Sequence, residues 1–286
     1  MKLSRSLLLI PIILVLAGVF LAAVNYGEGR ERKTVLLAVG TSIMDSGLLD
    51  ELTAAFEKKS GYKLKPLAIG SGQAMAMGER GEVDVLLVHD PASERQFITA
   101  GHGINRRLVM YNDYYLVGPP DDPARVARAG SITEAFRRIA VAGALFISRG
   151  DHSGNDRLEK ALWREVGLQP ETARWYQETG LGMGHTLQLA ADKKAYALVD
   201  RATYFAFLGK INLRLYLKGG KGLVNLYHVI EVNPARWPKV NRAGARAFSE
   251  FLLSDDFQRL AENFGRSKYG ETLFHAGRGK TEDYFK

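Results

Sequence analysis

The spacing of hydrophobic positions changes repeatedly along the chain. Thr34 to Val39 (TVLLAV) is a continuous apolar run, the pattern of a buried strand, and Val83 to Val88 (VDVLLV) resembles it. Between them Ser46 to Lys59 places Leu48, Leu49, Leu52, Ala55 and Phe56 on one helical face. Asp45 or Ser46 can cap that helix, and Gly61 ends it. Tyr62 to Ile69 reads as a second strand, with helices expected at Gln73 to Glu79 and Ser93 to Ala100. Val109 to Gly118 is strand-like until Pro119, Pro120 and Pro123 break the pattern. A second alternating set follows: helix Ser131 to Ala140, strand Ala144 to Ser148, helix Gly154 to Val166, a further helix from Glu171, then segments Thr186 to Lys193, Tyr196 to Val199 and Leu213 to Leu217. Tyr227 to Val232 reads as a returning strand, with helices at Ala243 to Leu253 and Asp256 to Phe264. Strands alternating with helices predict an α/β fold with mixed, mostly parallel sheets.

Crossings near Gly118 and near Tyr227 predict two α/β lobes joined by two hinge strands, with a cleft between them. One lobe comprises residues 30–117 plus 228–286, and the other 118–227. A length of 286 residues suits two such lobes. Ahead of them, residues 1–29 differ: Lys2 and Arg5 precede an unbroken apolar run from Leu7 to Val24, then polar Asn25 to Gly29. This is an export signal, cleaved or kept as an anchor, and it places the remainder outside the cytoplasm.

Composition removes other classes. With Cys 0 there is no disulfide, zinc-thiolate, iron–sulfur or cysteine-nucleophile chemistry. The net charge of +8 admits nucleic acid, a membrane surface or a small anion as partner. Removing Lys2, Arg5 and Glu28 from the 39 basic and 31 acidic residues leaves 37 and 30, a charge of +7 on the exported part. Export argues against DNA. Arg106-Arg107 and Arg137-Arg138 lack interleaved aromatics for base stacking and read as solvated faces.

Three loops carry unusual chemistry, each where a strand hands over to a helix: Gly40-Thr41-Ser42, Gly70-Ser71-Gly72-Gln73 and Ser148-Arg149-Gly150-Asp151-His152-Ser153-Gly154-Asn155. Open α/β sheets bind ligands at such ends. Glycine admits a ligand to the backbone, helix N-terminal N–H groups favour an anion, and Ser and Thr add neutral donors. Arg149 supplies a full charge and a two-pronged donor. A single loop of this kind is more often an N-cap or turn, and it is three at matching strand ends that shift the balance. Arg149 alone could be an ion-pair partner, and Asp151 an N-cap or a brace for Arg149. Catalytic readings have less support. His152 lies between Asp151 and Ser153, but adjacent residues point apart. The six histidines lack metal-ligand spacing, no GxSxG elbow occurs, and Gly180, Gly182 and Gly184 do not complete a dinucleotide loop.

These residues give the chain a resemblance to the periplasmic binding proteins of tungstate ABC transporters, within the type II extracytoplasmic solute-receptor superfamily. It rests on DSGLLDELTAAFEKKSGY (45–62), GSGQAMAMGERGEVDVLLVHDPASE (70–94), VMYNDYYLVGPPDDPA (109–124), FISRGDHSGN (146–155), GMGHTL (182–187) and AYALVDRATY (195–204). The resemblance implies an oxyanion gripped between two lobes and delivery to a membrane permease with its ATPase. The receptor is expected to be a monomer with no cofactor and no metal. By position, Thr41 and Ser42 become donors of the first loop and Ser71 the donor of the second. Arg149 becomes the charge partner, with Ser153 and the N–H groups around Gly154 beside it, and Asp151 supporting. The family usually has two further threonines where this chain has Val39 and Gly40, and Thr where it has Asn155. These departures bear on anion preference.

Molybdate suits the same donors as tungstate. Phosphate is the other rival, since Arg149-x-Asp151-x-Ser153-Gly154 also looks like the arginine loop of phosphate-binding proteins, where an Asp accepts the ligand's proton. Tungstate carries no such proton, so Asp151 is expected to face away and hold Arg149. From other classes, an exported hydrolase or transferase acting on a phosphorylated substrate and a tethered anion sensor are the alternatives.

Overall fold

A computed structural model describes residues 33–220 and 222–285. The expected export signal or anchor lies outside them. Among the described residues no helix is long and apolar enough to cross a membrane.

Strand β1 (Thr34–Gly40) lies between β2 (Lys63–Ile69) and β3 (Val85–Val88), parallel to both. Its central position explains why nearly every residue is buried and why the sequence there is an unbroken apolar run. By contrast β2 is an edge strand, mostly exposed. It tolerates Pro66 because an edge leaves one row of N–H groups unpaired, and Lys63 and Lys65 discourage pairing with another chain. Helices α1 (Thr41–Asp45), α2 (Leu48–Ser60), α3 (Ser71–Glu79) and α4 (Pro91–Thr99) follow these strands. The helix expected from Ser46 is α2, which starts at Leu48, and the short α1 ahead of it was not expected. Gly47 separates them at φ 85°, a left-handed conformation that suits glycine.

Strand β4 (Gly103–Gly118) is 16 residues long and pairs antiparallel with β9 (Val224–Val232) as far as Asp113 opposite Val224. There β4 changes partners, a few residues before the Gly118 crossing expected from sequence. Tyr114–Val117 face β7 (Ala197–Asp200), and Tyr115–Gly118 face β8 (Arg214–Lys218). Strand β9 pairs antiparallel with β3, and with β10 (His275–Ala276) on β4 the main order is β10-β4-β9-β3-β1-β2. The α/β expectation with mixed sheets holds. The parallel share is smaller than expected, because β4 and β9 run antiparallel to every neighbour.

The intervening chain supplies α5 (Ile132–Ala142), β5 (Phe146–Ser148), α6 (Gly154–Glu165), β6 (Tyr176–Glu178), α7 (Met183–Asp192) and α8 (Arg201–Phe207). The helix expected from Glu171 is replaced by a 3-10 turn, Pro170–Thr172, and by β6 parallel to β5. Aromatic packing accounts for this. Tyr176 stacks on Phe146 at 6.0 Å, and Trp175 lies 5.4 Å from the buried Trp163. After β9 come α9 (Arg242–Leu252), α10 (Asp255–Asn263) and α11 (Arg266–Tyr269).

The described residues from Thr34 onward hold together as one compact unit. Within it, two apolar clusters draw their buried members from residues 35–110 and 227–274, with Ala202 the exception. Two others draw theirs from 114–223. In the first group Phe56 is fully buried edge-on to Phe248 at 5.1 Å, a ring burial worth roughly 2–3 kcal/mol. Strands β4 and β9 pass between the groups.

Candidate functional site

All three loops singled out in the sequence occupy strand-to-helix junctions: β1 to α1, β2 to α3, and β5 to α6. The structure brings them together. A Cβ added at Gly70 would lie 3.2 Å from the Asp151 carboxylate, and one at Gly72 would lie 3.3 Å from the His152 carbonyl. At Gly154 the approach is closest, because an added Cβ would stand 1.9 Å from the backbone oxygen of His89. Only glycine permits that contact.

Arg149 is the most deeply placed cation of the group, its side chain 1% exposed. Its Nη2 donates to Asp151 and, at 3.4 Å, to Thr41 Oγ1. Its Nε and Nη1 are buried without a hydrogen-bond partner among the described residues. A guanidinium carries five N–H donors in a fixed fork, and leaving such donors buried and unmet costs free energy. Asp151 also accepts from the Ser153 N–H at 3.2 Å, so it braces Arg149 and pins the loop. Thr179 Oγ1 and the Gly180 N–H hold the Arg149 carbonyl from the other side.

Thr41 and Ser42 open α1. Thr41 Oγ1 accepts from Arg149 and from the Met183 N–H at 3.5 Å, while buried Ser42 Oγ lies 3.1 Å from the Tyr227 hydroxyl. Ser71 opens α3, fully buried, and accepts from the His89 N–H at 3.5 Å. Ser153 caps α6 by accepting from the Asp156 N–H at 3.5 Å, which leaves its own hydroxyl proton free to donate. Asp156 in turn accepts from the N–H groups of Gly150 and His152, fixing a loop in which both residues have positive φ. Asn155 is committed elsewhere, donating to the Leu198 carbonyl at 3.2 Å. Gly40 leaves room for the His89 ring, which would lie 2.9 Å from a Cβ there, and Val39 belongs to the apolar core.

Sequence reasoning missed several neighbours. His89 follows β3, and burial, then the nearby Arg149 charge, pushes its imidazole down to about 4, so it is neutral at pH 7. Tyr114, Asn225 and Tyr227 come from β4 and β9, all buried and linked to one another. Burial raises the Asp45 carboxyl although the Gly184 N–H donates to it at 2.9 Å. Gly184 follows Gly180 and Gly182 at alternate positions. Strand β6 precedes them, α7 starts at Met183, and a Cβ at Gly182 would lie 3.3 Å from Thr41. Beneath Ser148, burial pushes the Glu159 carboxyl up to about 8, even though Ser148, Tyr176 and Trp163 all donate to it. The missed residues of β4 and β9 had no local signal, since β4 also carries Arg106, Arg107 and Asp113 and β9 carries His228 and Glu231, so one polar residue more does not stand out. Among the described residues no cluster of His, Cys, Asp and Glu could hold a metal ion.

A model described as a PBP superfamily domain matches residues 26–256. The chain is 42% identical over 281 residues to the tungstate-binding protein TupA of Peptoclostridium acidaminophilum, covering 96% of this chain and 98% of that one. Among solved structures it is similar to the tungstate ABC transporter structure from Geobacter sulfurreducens (40% identity, TM-score 0.73, 79% of this chain and 97% of that chain). It is also similar to the tungstate-binding protein TupA from Desulfovibrio alaskensis G20 (39% identity, TM-score 0.71, 86% and 99%).

Proposed function

The chain belongs to the PBP superfamily and, within it, to the family of the tungstate-binding proteins it matches; from that premise we propose that it captures a tetrahedral oxyanion, tungstate, for an ABC transporter. The observation that carries the reading is Arg149, a buried guanidinium with donors on Nε and Nη1 unused, set among neutral donors. A fully deprotonated dianion accepts hydrogen bonds and donates none, so it fits a site of N–H and O–H groups around one fork. In this reading Thr41, Ser42, Ser71, Ser153, the N–H groups around Gly154, and Arg149 contact the anion. Asp151 supports Arg149.

The two apolar core groups support a division into lobes 30–117 plus 228–286 and 118–227, which close on the ligand about β4 and β9. The protein works outside the cytoplasm, exported by its N-terminal segment or held by it, as a monomer that hands its cargo to a permease and ATPase. Its role is binding rather than catalysis, in line with the tungstate-binding relatives it matches.

A thermal-shift panel of tungstate, molybdate, vanadate, phosphate and sulfate tests the reading, with tungstate expected to raise the melting temperature most. Stabilisation by phosphate alone would reassign the ligand, and no response to any oxyanion would end the proposal. Arg149→Lys keeps the charge but loses the fork, and at least tenfold weaker binding, about 1.4 kcal/mol, is expected by titration calorimetry. An unchanged affinity would remove Arg149 from the site.

A further inference from the structure

Strands β4 and β9 carry a buried polar chain that reaches the first loop. Tyr114 donates to Asn225 Oδ1 at 2.9 Å, Asn225 Nδ2 donates to the Tyr227 hydroxyl at 2.7 Å, and Tyr227 lies 3.1 Å from Ser42 Oγ. All four residues are buried: Tyr114 2%, Asn225 1%, Tyr227 0% and Ser42 1% exposed. Counting protons gives the chain a direction. A tyrosine hydroxyl has one proton, and Tyr114 gives its own to Asn225. The contact at 3.4 Å between Tyr114 and His89 Nδ1 therefore has the imidazole as donor. At the other end the Asn225 amide fills an acceptor site of Tyr227, whose single proton then goes to Ser42. Ser42 Oγ, accepting from Tyr227, has its own proton left to give.

We infer that Asn225 and Tyr227 are positioning residues that turn the Ser42 O–H outward, so that a serine able to accept as well as donate is presented to the anion as a donor. The inference rests on the oxyanion-binding reading and deepens it. A buried hydroxyl with no fixed partner rotates, and part of its population would aim lone pairs at a dianion. The Asn225 amide prevents this from the strand where the chain crosses between the two core groups. Were that amide reversed, Tyr227 would donate to Asn225 and accept from Ser42, and Ser42 would lose its proton to the strand.

The test is a double-mutant cycle read by tungstate titration calorimetry on the full chain, using Tyr227→Phe, Ser42→Ala and the pair. Tyr227→Phe should weaken tungstate binding about fivefold in the wild-type background and leave Ser42→Ala unchanged. An equal loss in both backgrounds, or none in either, overturns the inference. Asn225→Leu gives a second cycle with Ser42→Ala, with the same expectation, should Tyr227→Phe fail to fold. Wild-type protein that binds no oxyanion would instead sink the functional reading, and this inference with it. Binding by the wild type with a flat cycle removes only the positioning role.

Discussion

At the scale of single residues, the core of the site is a balance between charge and burial. Arg149 is buried but shares only one nitrogen with Asp151, so much of its donor capacity is left. Buried beside it, His89 is held neutral, and this has a consequence for stability. The unfolded imidazole titrates near 6.5 and the folded one near 4, so protons bind the unfolded chain more tightly. The stabilising contribution is complete above 6.5 and is lost as pH falls towards 4. Between pH 7 and pH 4 the wild type should lose roughly 3 kcal/mol more stability than His89→Gln. Urea unfolding at the two pH values checks this, and parallel losses would show that the ring is not held neutral. His89 was hard to find in the sequence, because one histidine after an apolar strand looks like any solvated loop residue. Only the fold sets its ring against Gly40.

At the scale of elements, strands and helices with a strong apolar period were legible, including β1, β3, α5, α9 and α10. Failures came where tertiary contacts outweigh local pattern. The segment after Glu171 has helical spacing, but Trp175 and Tyr176 are drawn into the aromatic cluster around Trp163. Helix α8 was missed because Asp200, buried at the end of β7, caps it without an intervening loop. The three loops were legible because a strand end followed by Gly and Ser or Thr is a local signature. The polar chain on β4 and β9 was not, since cross-strand neighbours are far apart in sequence. At the third junction, Gly154 packs α6 against the backbone of His89. Gly154→Ala should cost about 1–3 kcal/mol, seen as a loss of the thermal stabilisation conferred by tungstate. Full retention of that stabilisation would mean that the close approach is absent from the bound form.

At the scale of the whole molecule, contacts such as Thr41 with Arg149 and Asp45 with Gly184 join residues assigned to different lobes. In the proposed reading these contacts belong to the closed form. Saturating tungstate should therefore lower the radius of gyration in small-angle scattering, and an unchanged value would count against closure. The +7 of residues 30–286 takes a limited part in this. In the proposed reading it draws anions towards the protein at a rate that salt reduces, while affinity is expected to rest on Arg149 and its neutral neighbours. The sheet order also sets a timetable for folding. Strand β9 lies between β4 and β3, so a chain emerging from the ribosome cannot complete the sheet begun by β1 until residues 224–232 have been made. Until then β3 and β4 each expose an unpaired flank. For a chain read as exported, this long-range pairing delays native structure until most of the polypeptide exists, which keeps it threadable for longer.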